Sequence, residues 1–200
     1  MANFYKKSQF LSGGEEKKKA QSGRSMIEML GVLAIIGVLS IGGIAAYTKA
    51  MEKHSINKLL DQITRIVMQT RTTFADKPNY NDLDGPIASV IVNTALGNEK
   101  EVGIKDEYGN YRSFSVGKNH MTSENVFRVD TPYMSQAACM AVLTTDWGEY
   151  DQSDGYGGVK LFYDDGDGLD FIEEYPISME RAAEACSGCV NACWISLSFK

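Results

Sequence analysis

Histidine is almost missing from this chain: two in 200 residues, His54 and His120. Neither sits beside a nucleophile signature, and acids are too common along the chain for any pair of them to mark general acid–base work. No glycine-rich phosphate loop follows a strand-like run. An enzyme is therefore not expected. Proline is also scarce, at four residues, and none falls between Arg24 and Lys77; Pro78 is the first breaker a helix there would meet. An excess of positive charge is lacking too. The formal net charge is −6, and from Pro78 onward eight Lys and Arg face twenty Asp and Glu, a balance that argues against unaided nucleic-acid binding.

What the chain does hold is one long apolar run. Met29 to Tyr47 carries no charge and has about the 20 residues that a bilayer-crossing helix needs. Before it, Met1 to Gly23 is polar, with Lys6, Lys7, Lys17, Lys18 and Lys19 against Glu15 and Glu16, a bias that favours a cytoplasmic N-terminus. Glu28 stands at the edge of the run, five residues after Gly23. A charge near the centre of a span costs roughly 2.5–3.5 kcal/mol even on lenient scales, so an acid there is a functional suspect; the plainer reading is a carboxylate reaching headgroup water. A secretory signal puts its apolar core before the cleavage site. Here the glycine comes first, so cutting after Gly23 would remove only the hydrophilic leader.

Beyond Tyr47 the apolar residues Met51, Ile56, Leu59, Leu60, Ile63, Ile66, Val67 and Phe74 recur at helical steps, with Lys53, Lys58, Asp61, Arg65 and Arg71 between them. One helix is expected over 24–77, a rod of roughly 75 Å at 1.5 Å per residue. Gly31, Gly37, Gly42 and Gly43 punctuate its apolar half, which suits close helix approach with local unwinding, or is ordinary for a membrane span. Residues 78–200 have the length of one compact core. Pro86 to Leu96, Ser135 to Thr144 and Ser178 to Cys186 read as helices, the first closed by Gly97 and the second capped by Ser135. Tyr111 to Val116, Asn125 to Asp130, Val159 to Tyr163 and Trp194 to Phe199 read as strands, the last half-buried. The expected class is α+β: a long N-terminal helix, transmembrane over 29–47 and then amphipathic, packed on a sheet. Strand order is not legible.

Gly23-Arg-Ser-Met-Ile-Glu28, followed by the unbroken apolar helix, resembles the class III signal of type IV pilins and pseudopilins. The resemblance implies that a membrane-embedded aspartyl prepilin peptidase cuts Gly23–Arg24 in the cytoplasm, removing residues 1–23, and that Arg24 is then N-methylated. The common first mature residue is Phe or Met, so Arg24 departs from the pattern. It further implies that Glu28 attracts the N-terminal ammonium of a neighbouring subunit, setting register as helices pack into a filament. Partners implied are other copies of the chain, the peptidase, and an inner-membrane assembly platform with its ATPase. The implied location is the bacterial inner membrane with a periplasmic head, then a surface pilus or a periplasmic pseudopilus.

Four cysteines, Cys139, Cys186, Cys189 and Cys193, admit three complete pairings. A head exported across a membrane favours disulfides over a four-thiolate zinc site. Tyr133 to Cys139 and Ala182 to Cys186, followed by a final strand, resemble the layout of type IVb pilins. That resemblance implies Cys139–Cys186, leaving Cys189 and Cys193 as a local bridge or as two free thiols. Asp164-Asp-Gly-Asp-Gly-Leu-Asp170 with Glu173 and Glu174 invites calcium, but the fifth and twelfth positions counted from Asp165 are Leu169 and Pro176, so the EF-hand spacing fails. A solvated acidic turn between strand and helix is expected, with a weak calcium site as the alternative and no other cofactor. The expected function is a type IVb-like pilin polymerising into a fibre for adhesion, aggregation, motility or conjugation. Alternatives are a type II secretion pseudopilin, a minor pilin, or a membrane-anchored periplasmic binding protein, which leaves the Gly23-to-Glu28 spacing unexplained.

Overall fold

The computed structural model describes residues 26–106, 108–118, 125–148, 158–163, 169–172, 177–190 and 192–200. Its first element, α1 (Met26–Thr73), is one continuous helix with Glu28 in its first turn and Arg71 in its last, each the sign the helix dipole favours there. The glycines do not unwind it. It ends at Thr73 rather than Lys77, where the hydroxyls of Thr70, Thr72 and Thr73 bond back to Ile66, Met68 and Gln69 carbonyls and the chain turns ahead of Pro78. Two compact units divide inside this helix, Met1–Ala46 and Tyr47–Lys200.

In the first unit α1 is apolar on every side, and all of residues 26–46 are exposed. In the second unit the helix turns amphipathic. Leu59, Gln62, Ile63, Ile66, Val67 and Thr70 are buried, and the apolar members of this face join one hydrophobic core with the rest of the head. Met51, expected on the same face, is 44% exposed, because the core begins only beyond Ser55.

Five antiparallel strands make the sheet of the head: β1 (Ser115–Lys118), β2 (Phe127–Asp130), β3 (Val159–Tyr163), β4 (Leu169–Ile172) and β5 (Cys193–Phe199), in the order β1-β2-β5-β3-β4. Register places Phe127 beside Phe199, and Val129, Leu197 and Val159 in one row, so that across the central strands β2, β5 and β3 one face is aliphatic and aromatic. Central placement explains a departure from expectation in β5. Ser196 and Ser198 point away from the apolar face yet are 6% and 5% exposed, since strands flank β5 on both sides.

Three short helices complete the head. α2 (Gly85–Leu96) carries Pro86 at its start and stops at Gly97, whose φ of 58° a side chain would disfavour. α3 (Gln136–Thr144) and α4 (Met179–Cys186) open on Ser135 and Ser178, whose hydroxyls accept from the amides of Ala138 and Arg181. β2 stops before Pro132, which has no amide to donate. The Thr131 hydroxyl instead accepts from the Ile195 amide at 2.9 Å, so the β2–β5 ladder passes the proline with its donors satisfied.

Two strand expectations fail for physical reasons. The first strand begins at Ser115 rather than Tyr111, because Tyr111 bridges Lys105 in a separate small hairpin and Arg112 turns to lie over Trp194. The stretch expected to be a solvated acidic turn ends in a strand. Leu169–Ile172 is β4, paired with β3 from Val159↔Ile172 to Phe162↔Leu169. Asp164–Gly168, Glu173 and Glu174, the rest of the calcium expectation, lie outside the described residues, as does His120.

Candidate functional site

Two places carry the residues singled out in the sequence. The first is the start of α1. Among the described residues, Glu28 is the only ionisable group between Met26 and Ala46, and it sits among exposed neighbours that include Ile27 at 76% and Leu30 at 66%. Such aliphatic exposure over five helical turns is stable only in lipid or against other apolar helices. The one hydroxyl within it, that of Ser40, donates to the Ile36 carbonyl at 2.7 Å, so the span leaves no backbone demand on water there. A side-chain carbon added at Gly31, Gly37, Gly42 or Gly43 would meet nothing within 4 Å in this chain. Gly23 and Arg24 lie outside the described residues.

The second place is the cystine cluster between α3, α4 and β5. Cys139 pairs with Cys186, tying α3 to the end of α4, and Cys189 pairs with Cys193, tying the next turn to the first residue of β5. All four residues are buried. With every sulfur bonded to another, the four-thiolate arrangement does not form. Two features hold the turn in place. The Tyr163 hydroxyl donates to the Ala185 carbonyl at 2.7 Å, and a Cβ at Gly188 would lie 2.6 Å from that tyrosine's ring, so only glycine lets the turn pass beneath it.

Two clamps that sequence reasoning missed fix the long loop after α2. Gln62, fully buried on α1, donates to the Lys100 carbonyl and accepts from the Val102 amide, each at 3.1 Å. Beside it Arg65 reaches Glu99 and Asp61, both at 2.7 Å. The hydrogen bond from Arg65 holds the Glu99 carboxyl below its ordinary range, with desolvation opposing it and the charges of Arg65 and Lys58 adding to it. On the sheet's other face Trp194 is sandwiched between the Phe162 ring, with centroids 3.8 Å apart, and the Arg112 guanidinium at 3.6 Å. Desolvation there lowers the Arg112 pKa, with Asp130 opposing it. A glutamine in an amphipathic pattern at a core-facing position was the only sequence signal for any of this.

No protein-family model matches the chain. It is 24% identical over 144 residues to toxin coregulated pilin of Vibrio cholerae, an alignment covering 70% of this chain and 64% of that protein. To the toxin coregulated pilin of Vibrio cholerae serotype O1, El Tor Inaba, it is 20% identical over 143 residues. The chain thus spans 64% of the length of the curated relatives it matches. Among solved structures, the crystal structure of TcpA, a type IV pilin from the El Tor biotype of Vibrio cholerae, superposes with a TM-score of 0.45 at 10% identity, covering 74% of this chain and 99% of that one. The chain is thus distantly similar in sequence to toxin coregulated pilin.

Proposed function

We propose that this chain is a type IVb-like pilin subunit, made as an inner-membrane precursor with its head in the periplasm and polymerised through the apolar half of α1. The observation that carries the reading is the contrast within that helix. Its second half is built into the core of the head, whereas residues 26–46 are uncovered on every side and hold one carboxylate in the first turn. A helix used only as an anchor has no use for Glu28. A helix that trades lipid for other copies of itself does.

In this reading prepilin peptidase cuts Gly23–Arg24, and the new ammonium of Arg24, N-methylated, meets the Glu28 carboxylate of a neighbouring copy. Two charges that are each costly in an apolar medium become tolerable as a pair. Register follows, because only one axial offset brings both into contact. An assembly platform and ATPase then extrude the growing filament. Kinship with toxin coregulated pilin supports the polymeric reading and leaves pseudopilin and minor-pilin variants of it open.

The test is mass spectrometry of sheared surface fibres. The expected subunit begins at Arg24, carries one added methyl group and retains both disulfides. A subunit that still holds Met1–Gly23, or its absence from fibres and pseudopili alike, would contradict the proposal.

A further inference from the structure

The two disulfides lie against each other. The sulfurs of Cys139, Cys189 and Cys193 all fall within 4.8 Å of one another, although they belong to different bonds, and Cys186 stands outside that triangle. A second relation is written in the chain itself. Cys186-Ser-Gly-Cys189 is a Cys-x-x-Cys run, and the Cys189 amide donates to the Cys186 carbonyl at 3.0 Å, closing a tight turn. The ends of such a turn lie within about 7 Å, a separation a disulfide can bridge at its upper range. The cysteines of that motif are nevertheless each bonded elsewhere.

We infer that the cluster is a thiol–disulfide exchange site, at which a small external thiol interconverts two pairings of the head: Cys139–Cys186 with Cys189–Cys193, and Cys139–Cys193 with Cys186–Cys189. In this scheme Cys189 is the residue attacked. It is 6% exposed where the other three are 0%, and Val190 next to it is 83% exposed.

The steps balance without an oxidant. The external thiolate attacks the Cys189 sulfur, forms a mixed disulfide there and expels Cys193 as a thiolate. The Cys193 thiolate, already beside Cys139, attacks that sulfur, forms Cys139–Cys193 and expels the Cys186 thiolate. Cys186 then attacks Cys189 across the turn, forms the Cys-x-x-Cys disulfide and releases the external thiolate unchanged. Two disulfides exist before and after, and the thiol is a catalyst. The exchange moves the covalent tie of β5 from the α4 turn to α3. Met134, ahead of α3, already bridges Cys193 through paired backbone bonds, so this tie needs little rearrangement.

The full chain in detergent, incubated at pH 8 with a trace of reduced glutathione, then acid-quenched and alkylated, tests this by disulfide mapping of the non-reduced protein with tandem mass spectrometry. Cys139–Cys193 and Cys186–Cys189 are expected to appear together, in equal amounts and with no rise in free thiol. Persistence of the original pairs alone would overturn the inference. Appearance of Cys139–Cys189 with Cys186–Cys193 would overturn the choice of Cys189 as the attacked sulfur. Cys189→Ser gives an independent arm, since it leaves Cys193 as a resident thiol. Linkage should then divide between Cys139–Cys186 and Cys139–Cys193 without added thiol, and alkylation confined to Cys193 would count against the site.

Discussion

Ile35 and Ile63 lie on one continuous helix, yet the first is 63% exposed and the second is fully buried. Both belong to stretches that are rich in aliphatic residues. Around Ile35 every face is apolar, whereas around Ile63 charges alternate with core positions. All-round apolarity demands a surrounding that the chain itself does not supply, and one-sided apolarity demands a sheet that it does. The helix is thus written for two solvents, and the change falls near Tyr47.

The sharpest way to break that contrast is to make the same substitution in both halves. Ile63→Ala should lower the stability of the head by about 2–5 kcal/mol, through lost burial and a cavity. Ile35→Ala should leave it within about 0.5 kcal/mol, as for a site outside the folded core. Denaturant unfolding in detergent, followed by Trp194 fluorescence, reads both. Equal losses would show that the halves are not distinct. Next in size is removal of the long bridge: the Cys139→Ser, Cys186→Ser pair should destabilise the head by about 2–4 kcal/mol, measured in the same way.

A smaller effect is expected at Gln62. Gln62→Ala strands the Lys100 carbonyl and the Val102 amide, each group costing about 1–3 kcal/mol if it stays buried and less once water reaches it. Hydrogen exchange should show the Val102 amide losing protection while the amides of β5 keep theirs. The smallest effect concerns Glu99. Its folded pKa lies below its ordinary value of 4.5, so its ion pair with Arg65 adds stability above that value and loses it as pH falls through the lower folded pKa. Wild type and Glu99→Gln should therefore differ at pH 7 and converge in acid, with salt narrowing the gap at pH 7 because the pair is exposed.

Local signals made much of this fold legible. Ser135 announced one helix, the Ala, Glu and Arg of 178–186 a second, Gly97 ended another, and the alternation of Ile195, Leu197 and Phe199 announced β5. The misses are all non-local. β4 hides between acidic residues and exists because β3 offers it a register. The first strand was placed too early because only the folded chain sends Arg112 across to Trp194. Gln62, unremarked among the polar residues of the helix, is the clamp of a loop some forty residues away. At the start of α1 the sequence signal was strong and local, while the role proposed for it depends on a second copy.

The central claim is that Glu28 acts between subunits, and the most direct measurement is the yield of sheared fibres from cells producing Glu28→Gln, set beside the mass of the chain left in the membrane. The account predicts a chain cut at Gly23–Arg24, present in the membrane at normal abundance and missing from fibres. Fibres at wild-type yield from that variant would contradict it.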